Sequence, residues 1–416
     1  WDIFAKICSI PHPSYHEEQL AEHILSWAKE KGLHVERDQV GNILIRKPAT
    51  AGMENRKAVV LQAHLDMVPQ KNNDTVHDFT KDPIQPYIDG EWVKARGTTL
   101  GADNGIGMAS ALAVLADDSV SHGPLEVLLT MTEEAGMDGA FGLQAGWLQA
   151  DILINTDSEE EGEIYMGCAG GIDFISTLPL QREAIPAGYE TYKLTIKGLK
   201  GGHSGAEIHL GLGNANKLLA RFLFAHAAEL DARLIDLNGG TLRNAIPREG
   251  SAILAVPADK AAQLKQLAAQ FLSILQNELG AVEKNTTVLV EATNTDKSAL
   301  TVKSREAFIN LLNAMPNGVI RNSDAVKGVV ETSLNVGVVT MTDESAEIIC
   351  LIRSLIDSGK DYVVGMLHAL GQLAGAESVA KGSYPGWQPD AKSPVMALVR
   401  ETYEKLFNKT PNIMVI

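Results

Sequence analysis

The chain has 416 residues, 45% of them hydrophobic, and a formal net charge of −16. That length calls for more than one domain, and the apolar content suits buried cores rather than disorder. The acidic balance argues against nucleic acid and anionic membranes as partners, and no run of 18 or more apolar residues offers a membrane span.

Ser14-Tyr15-His16-Glu17 has the form of a capping box, and an amphipathic run follows it to Gly32. Val35 to Arg46 reads as strand, turn and strand about Val40-Gly41-Asn42. Ala58 to Ala63 is a strand ending at His64, and the polar, proline-containing stretch Asp74 to Gly97 reads as a long loop. Asp103 to Ala116 is a helix rich in small residues, with Asp103 in a position that favours an N-cap. Leu125 to Thr130 and Asp151 to Asn155 are further strands. Val59-Val60-Leu61, Val127-Leu128-Leu129 and Ile152-Leu153-Ile154 are continuous apolar runs, as expected of strands buried on both faces.

The pattern changes after Gly170-Gly171. Tyr192 to Ile196 alternates with a period of two, the mark of a half-exposed sheet. Helices are expected at Ala215 to Leu230, Lys260 to Leu279, Arg305 to Ala314 and Asp361 to Leu373. Strands are expected near Ser251 to Ala255, Thr287 to Glu291, Gly328 to Val339 and Glu347 to Ile352. This is an α+β pattern, compatible with two sheet-and-helix units side by side. Gly382 to Pro389 would return the chain to the first domain, before a helix at Ser393 to Phe407 and a strand at Ile413 to Ile416. Cys8, Cys168 and Cys350 are odd in number and widely spaced, so they read as small buried hydrophobes in a reducing cytoplasm rather than a disulfide framework. No secretory signal is visible; the chain begins at Trp1 without Met, which leaves room for a short leader before it.

Three apolar runs end in metal-type ligands: His64, Glu133-Glu134 and Asp157. In an open α/β sheet ligands bind beyond the carboxyl ends of the strands, which points to one shared cation site. Two residues apart in extended chain, Asp66 can bond the imidazole nitrogen of His64 that faces away from a metal. As strand neighbours, Glu133 and Glu134 would point to opposite sides, one toward metal and one toward substrate. Each motif has a plainer reading: a surface His-Asp pair, a solvated strand end, an acidic loop over Asp157 to Glu161, a helix cap at Asp103. The four together are harder to place by chance. Gly101 to Gly107 lacks the Gly-Lys-Ser/Thr ending of a phosphate loop, and no Gly-x-Ser-x-Gly elbow is present.

His64-x-Asp66, Gly101-Ala102-Asp103-Asn104-Gly105, Glu133-Glu134, Asn155-x-Asp157 and Gly202-His203-Ser204-Gly205 resemble the motifs of the co-catalytic dizinc peptidases related to carboxypeptidase G2 and aminoacylase. Asn238 to Pro247 and Asn335 to Met341 are similar to the bacterial, carnosinase-like Xaa-His dipeptidases within that group. The resemblance spans essentially the whole chain. It implies a zinc-peptidase-like α/β catalytic domain with a mixed central sheet, from residues 1–170 and 382–416, and an inserted α+β lid domain, residues 171–381. It implies two divalent metal ions per subunit, zinc with manganese or cobalt as alternatives. His64, Asp103 and Asp157 would hold one ion, and Asp103 would bridge to a second held by Glu134. Asp66 would orient His64, and Glu133 would be the general base. His203 would reach the partner's site across a homodimer formed through the lid, and Asn244 and Arg353 would contact a dipeptide substrate. The family carries a final His ligand in a C-terminal stretch. None of the eleven histidines lies in that context, so the second site is expected to lack a His ligand in the chain as given. His209, His226 and His368 carry no motif and read as structural. The rival readings are another amidohydrolase of this fold, such as a tripeptide aminopeptidase or an N-acyl amino acid deacylase, and a non-catalytic metal- or peptide-binding protein.

Overall fold

In the computed structural model, which describes residues 1–416, the chain divides into two units, Trp1–Glu163 and Ile164–Ile416. The first contains α1 (Asp2–Cys8), α2 (Glu18–Glu30), β1 (His34–Arg37), β2 (Ile43–Lys47), β3 (Val59–His64), β4 (Pro86–Asp89), β5 (Trp92–Ala95), α3 (Ala102–Ala116), β6 (Leu125–Thr130), α4 (Asp138–Gly142) and β7 (Ile152–Asn155). Its mixed sheet has the order β1-β2-β6-β3-β7. β3 runs parallel to β6 and β7, whereas β2 runs antiparallel to β6. The carboxyl ends of β3, β6 and β7 therefore lie together.

Alternating side chains of β2 and β6 separate the two faces. Ile43, Ile45, Val127 and Leu129 join Phe4, Ile7, Leu20 and Ile24 of α1 and α2 and Met108, Leu112 and Leu115 of α3 in one core. Leu44, Val60 and Leu128 face the other way, toward Trp147 and Leu148. β6 is buried along its whole length, as its apolar run requires. β7 departs from that expectation: it pairs only with β3, and at this edge Leu153 is exposed.

Three local expectations are corrected. Ser14 and Glu17 do not form a capping box: α2 has no side-chain cap, and Glu17 is buried with its carboxylate on Thr132. The stretch from Asp74 to Gly97 is not all loop, because β4 and β5 form a hairpin joined by Gly90-Glu91, where Gly90 takes φ +63°. Asp103 is not a helix cap. Gly101 at φ +73° starts α3, and Asp103 and Asn104 keep non-helical angles with a cis peptide between them.

The second unit is dominated by a nine-stranded sheet. Its strands are β9 (Gly170–Pro179), β11 (Tyr189–Lys197), β13 (Arg233–Gly239), β15 (Gly250–Pro257), β16 (Thr287–Ala292), β18 (Gly318–Asn322), β19 (Val330–Met341), β20 (Ser345–Ser354) and β21 (Glu377–Tyr384). Short pairs join β8 (Glu163–Tyr165) to β22 (Asn412–Met414), β10 (Arg182–Glu183) to β17 (Ala299–Leu300), and β12 (Gly202–His203) to β14 (Ala245–Ile246). The sheet order is β16-β11-β15-β13-β19-β20-β9-β21, with β18 beside β19. The two sheet-and-helix units expected from the sequence are thus halves of one antiparallel sheet, and β13 meets β19 only at Gly239 and Val339.

Helices α5 (Ala215–His226), α6 (Ala261–Leu279), α7 (Val302–Ala314) and α8 (Asp357–Ala374) bury stripes at three- and four-residue spacing, such as Leu219, Phe222 and Leu223, or Phe308, Leu311 and Leu312. α9 (Pro394–Phe407) begins at Ser393, whose hydroxyl accepts from Met396 N. Cys8 and Cys350 are buried as expected, but Cys168 is exposed.

Lys217 of α5 ties two helices together. Its ammonium donates to the carbonyls of Leu312, Asn313 and Met315, 2.5, 2.9 and 2.5 Å away, at the end of α7 where helical carbonyls lack partners. Lys217→Met should keep the aliphatic packing but leave those carbonyls without their donor. A stability loss of about 1–3 kcal/mol is expected in thermal or denaturant unfolding; an unchanged melting temperature would show that the bonds contribute nothing net.

Candidate active site

β3 ends at His64, which is buried at 1% exposure. Its Nε2 lies 3.0 Å from Asp103 Oδ1 and 3.5 Å from Asp157 Oδ1, and its Nδ1 lies 3.2 Å from Asp66 Oδ1. The Nδ1 contact is within ion-pair distance but off the direction of a hydrogen bond. One imidazole thus faces carboxylates on both sides. Burial lowers its proton affinity, but Asp157 and Asp66 outweigh burial and push the pKa up to about 11.

Asp66 is held by backbone. Its Oδ1 accepts the amide of Glu133 at 2.8 Å; its Oδ2 accepts the amide of Glu134 at 3.1 Å and the Ser14 hydroxyl at 2.7 Å. Burial raises its pKa, yet His64, Ser14 and the Glu133 amide together bring it below the ordinary carboxylate range. Asp66 therefore stays ionised and fixes both the imidazole and the turn after β6.

That turn overturns the expected strand alternation of Glu133 and Glu134. β6 stops at Thr130, and Thr132 takes φ +53°. With the strand ended, neighbours no longer point to opposite faces. His64, Glu133 and Glu134 each offer a ligand atom within 4.8 Å of the others. Burial raises the pKa of Glu133, with further raising from Asp157, Asp66 and Asp103. Burial, Asp103 and Glu133 raise Glu134 to about 7.

Asp157 follows β7 and is placed by its motif partner: Asn155 Oδ1 accepts the Asp157 amide at 3.0 Å. Asn155 Nδ2 reaches Gln62 Oε1 at 2.5 Å, and Thr156 bonds the Gln62 carbonyl through both amide and hydroxyl at 3.0 Å. β3 thereby fixes the loop that approaches its own His64. Gly107 of α3 lets this loop come close, because a Cβ there would overlap Asn104 Oδ1 and the Thr156 carbonyl.

The structure brings together His64, Asp66, Asp103, Glu133, Glu134 and Asp157. Their donor atoms form two groups sharing His64: one with Asp103 and Asp157, the other with Glu133 and Glu134. The set fits a divalent cation. It combines imidazole nitrogen with hard carboxylate oxygens, and Asp157 Oδ1 is buried without a hydrogen-bond partner. Several carboxylates close enough to raise one another's pKa favour a positive partner among them. Sequence reading missed Ser14, Thr132 and Gln62 as parts of this site, since hydroxyl and amide contacts carry no spacing signature.

A second cluster lies in the second unit. His203 and Ala245 pair across the β12–β14 ribbon, and the Asn244 carbonyl accepts the Ser204 amide at 2.9 Å. His203 Nδ1 accepts from the amides of Gly205 and Ala206 at 3.3 and 3.1 Å. Nδ1 is thus the acceptor, and in the neutral ring the proton belongs on Nε2, which is free to donate. Burial and then Arg353 lower its pKa, favouring that neutral form. A Cβ on Gly205 would touch both Arg353 and His203 Cε1, so these side chains are neighbours. Arg353 donates to Tyr384 Oη at 3.4 Å, while its buried Nε has no hydrogen-bond partner.

The family model described as the peptidase dimerisation domain matches residues 194–283. The chain is 80% identical over all 416 residues to the cytosol non-specific dipeptidase of Escherichia coli (strain K12), covering 86% of that protein. It is similar to the crystal structure of aminoacylhistidine dipeptidase from Vibrio alginolyticus, with a TM-score of 0.97, 61% identity, and coverage of 100% of this chain and 85% of that one. It also resembles aminopeptidase PepT from Bacillus cereus, with a TM-score of 0.59, 17% identity and coverage of 100% and 83%, a likeness of fold alone.

Asp66→Asn would set an NH₂ group against one of the two amides that Asp66 accepts. Divalent-metal affinity should fall about 10–100-fold in calorimetric titration, as is usual when the partner of a ligating histidine is lost. Affinity within twofold of the parent protein would mean that Asp66 does not organise the site.

Proposed function

The chain belongs to the M20 family of metallopeptidases, and on that premise we propose that it hydrolyses the peptide bond of dipeptides, Xaa-His dipeptides among them, at the cluster around His64. The observation that supports this most is the meeting of His64, Asp103 and Asp157 with Glu133 and Glu134 at the carboxyl ends of parallel strands. One relative's name gives a non-specific dipeptidase and the other's an aminoacylhistidine dipeptidase. A dipeptidase of broad preference that accepts C-terminal histidine agrees with both.

In this reading His64, Asp103 and Asp157 would hold one ion, and Asp103 with Glu134 would contribute to a second. The mixed imidazole and carboxylate set suits Zn²⁺ and admits Mn²⁺ or Co²⁺. Bound ions of this kind lower the pKa of a coordinated water from about 15.7 toward neutrality and polarise a scissile carbonyl. Glu133 accepts the proton of the attacking water and returns it to the leaving amine. Its burial among other carboxylates raises its proton affinity, which suits that exchange. His203 donates from Nε2 to the developing oxyanion of the partner subunit's substrate, a contact of the type worth about 2–4 kcal/mol. Asn244 and Arg353 bind the substrate, Arg353 as a counter-charge to its carboxylate. The lid, residues 171–381, mediates a homodimer. The matched dimerisation domain at 194–283 lies inside that lid. A cytoplasmic location agrees with the relative named for the cytosol.

Assays of Xaa-His dipeptides against tripeptides and N-acyl amino acids separate this reading from other amidohydrolases of the fold. Dipeptides should be cleaved with much the highest kcat/KM, and chelation should abolish the activity until metal is restored. Preferred cleavage of N-acyl amino acids would overturn it.

Glu133→Gln should leave fold and metal binding nearly intact and lower kcat by about 10²–10⁴-fold, the usual contribution of a general base. Near-normal turnover would remove Glu133 from that role. Mixed dimers of Glu133→Gln and His203→Ala subunits should regain part of the activity that each lacks alone. Demonstrably mixed dimers with no recovery would show that His203 does not act in trans.

A further inference from the structure

The segment Ser14 to Glu17 looks in sequence like a helix cap, but its side chains turn toward the turn that carries Glu133 and Glu134. Glu17 is 1% exposed, and one of its oxygens, Oε1, accepts both the amide of Thr132 at 2.9 Å and its hydroxyl at 3.0 Å. Tyr15 Oη donates to the Ala135 carbonyl at 2.8 Å. Ser14 holds Asp66, which in turn accepts the amides of Glu133 and Glu134. Residues 132 to 135 are therefore gripped at four consecutive positions by side chains from outside the turn. Thr132 needs such a grip, because φ +53° is a conformation that β-branched residues rarely adopt unaided.

We propose that Glu17, assisted by Tyr15, is a positioning residue that holds the Thr132–Ala135 turn in the geometry from which Glu133 acts. This rests on the reading of Glu133 as the general base. Glu17 touches none of the reacting atoms; it works through Thr132. Both of its bonds end on a single carboxylate oxygen, so the role needs an acceptor and not a charge. The carbonyl oxygen of glutamine can take both bonds, whereas alanine leaves the Thr132 amide and hydroxyl without a buried acceptor.

The test compares Glu17→Ala, Glu17→Gln and Thr132→Val with the parent protein, and includes Phe222→Ala as a destabilised control in the other unit. In Glu17→Ala, kcat should fall about 10–100-fold with KM changed less than about threefold, as when a catalytic group is displaced by about 1 Å. Glu17→Gln should stay within about threefold of the parent, and Thr132→Val, which loses only the hydroxyl bond, should fall between them. Phe222→Ala should lower the melting temperature without this loss of kcat. Amide hydrogen exchange supplies a readout that needs neither metal nor turnover. Thr132 to Glu134 should exchange at least about tenfold faster in Glu17→Ala, and at the parent rate in Glu17→Gln. Parental kcat and exchange in Glu17→Ala would overturn the proposal. So would a Glu17→Gln protein as impaired as Glu17→Ala, or an equal kcat loss in Phe222→Ala. If Glu133→Gln stays active, the base reading fails, and the exchange rates alone then decide whether Glu17 holds the turn.

Discussion

Negative charge gathered at one imidazole is the constraint on which the rest of this structure depends. Asp66, Asp103 and Asp157 all lie within 3.5 Å of His64, and Glu133 and Glu134 close on it from the turn after β6. Such a set is costly to assemble in a partly buried place. The fold meets the cost in two ways. The ionised carboxylate of Asp66 is stabilised by two backbone amides and a hydroxyl, so it needs no metal of its own. The remaining carboxylates keep oxygens directed at one another and at Nε2, an arrangement that a cation stabilises and that no neutral ligand would.

Sheet topology makes the assembly possible. Parallel pairing of β3 with β6 and β7 delivers three strand ends to one edge, and each end contributes ligands. Glycines then permit the close approaches: Gly101 takes the left-handed turn into α3, and Gly107 leaves room for the Thr156 carbonyl. Gln62, one residue pair before His64 on β3, ties the Asp157 loop to the strand that carries the imidazole. Precision at the site therefore comes from sheet geometry and polar backbone contacts, with few of the tethers belonging to the ligands themselves.

Much of this was legible in the sequence. The apolar runs before His64, Glu133 and Asp157 marked the strands correctly, although only β6 is buried along its whole length and β7 is an exposed edge. The motif spacing marked the residues that meet. The turn at Thr132 was not legible: a threonine in a left-handed conformation has no local signal when its stabilising carboxylate, Glu17, lies 115 residues earlier. The same long-range bond explains the false capping box, since Ser14 and Glu17 match the local pattern while their side chains serve a distant one. Asp103 failed as a helix cap for a related reason, its carboxylate being drawn to His64. The β4–β5 hairpin was missed because polar residues around it masked the short strands. In the second unit the sequence marked β11, β15, β16, β19 and β20 but not β9, β13, β18 and β21, and nothing in it could reveal that the two halves share a single sheet.

The most direct test of the account is anomalous diffraction at the zinc edge from crystals grown with Zn²⁺. The account requires a peak bounded by His64 Nε2, Asp103 and Asp157 at about 2.0–2.2 Å, with Asp66 outside its coordination sphere. Zinc found only elsewhere on the chain, with His64 Nε2 making no metal contact, would contradict it.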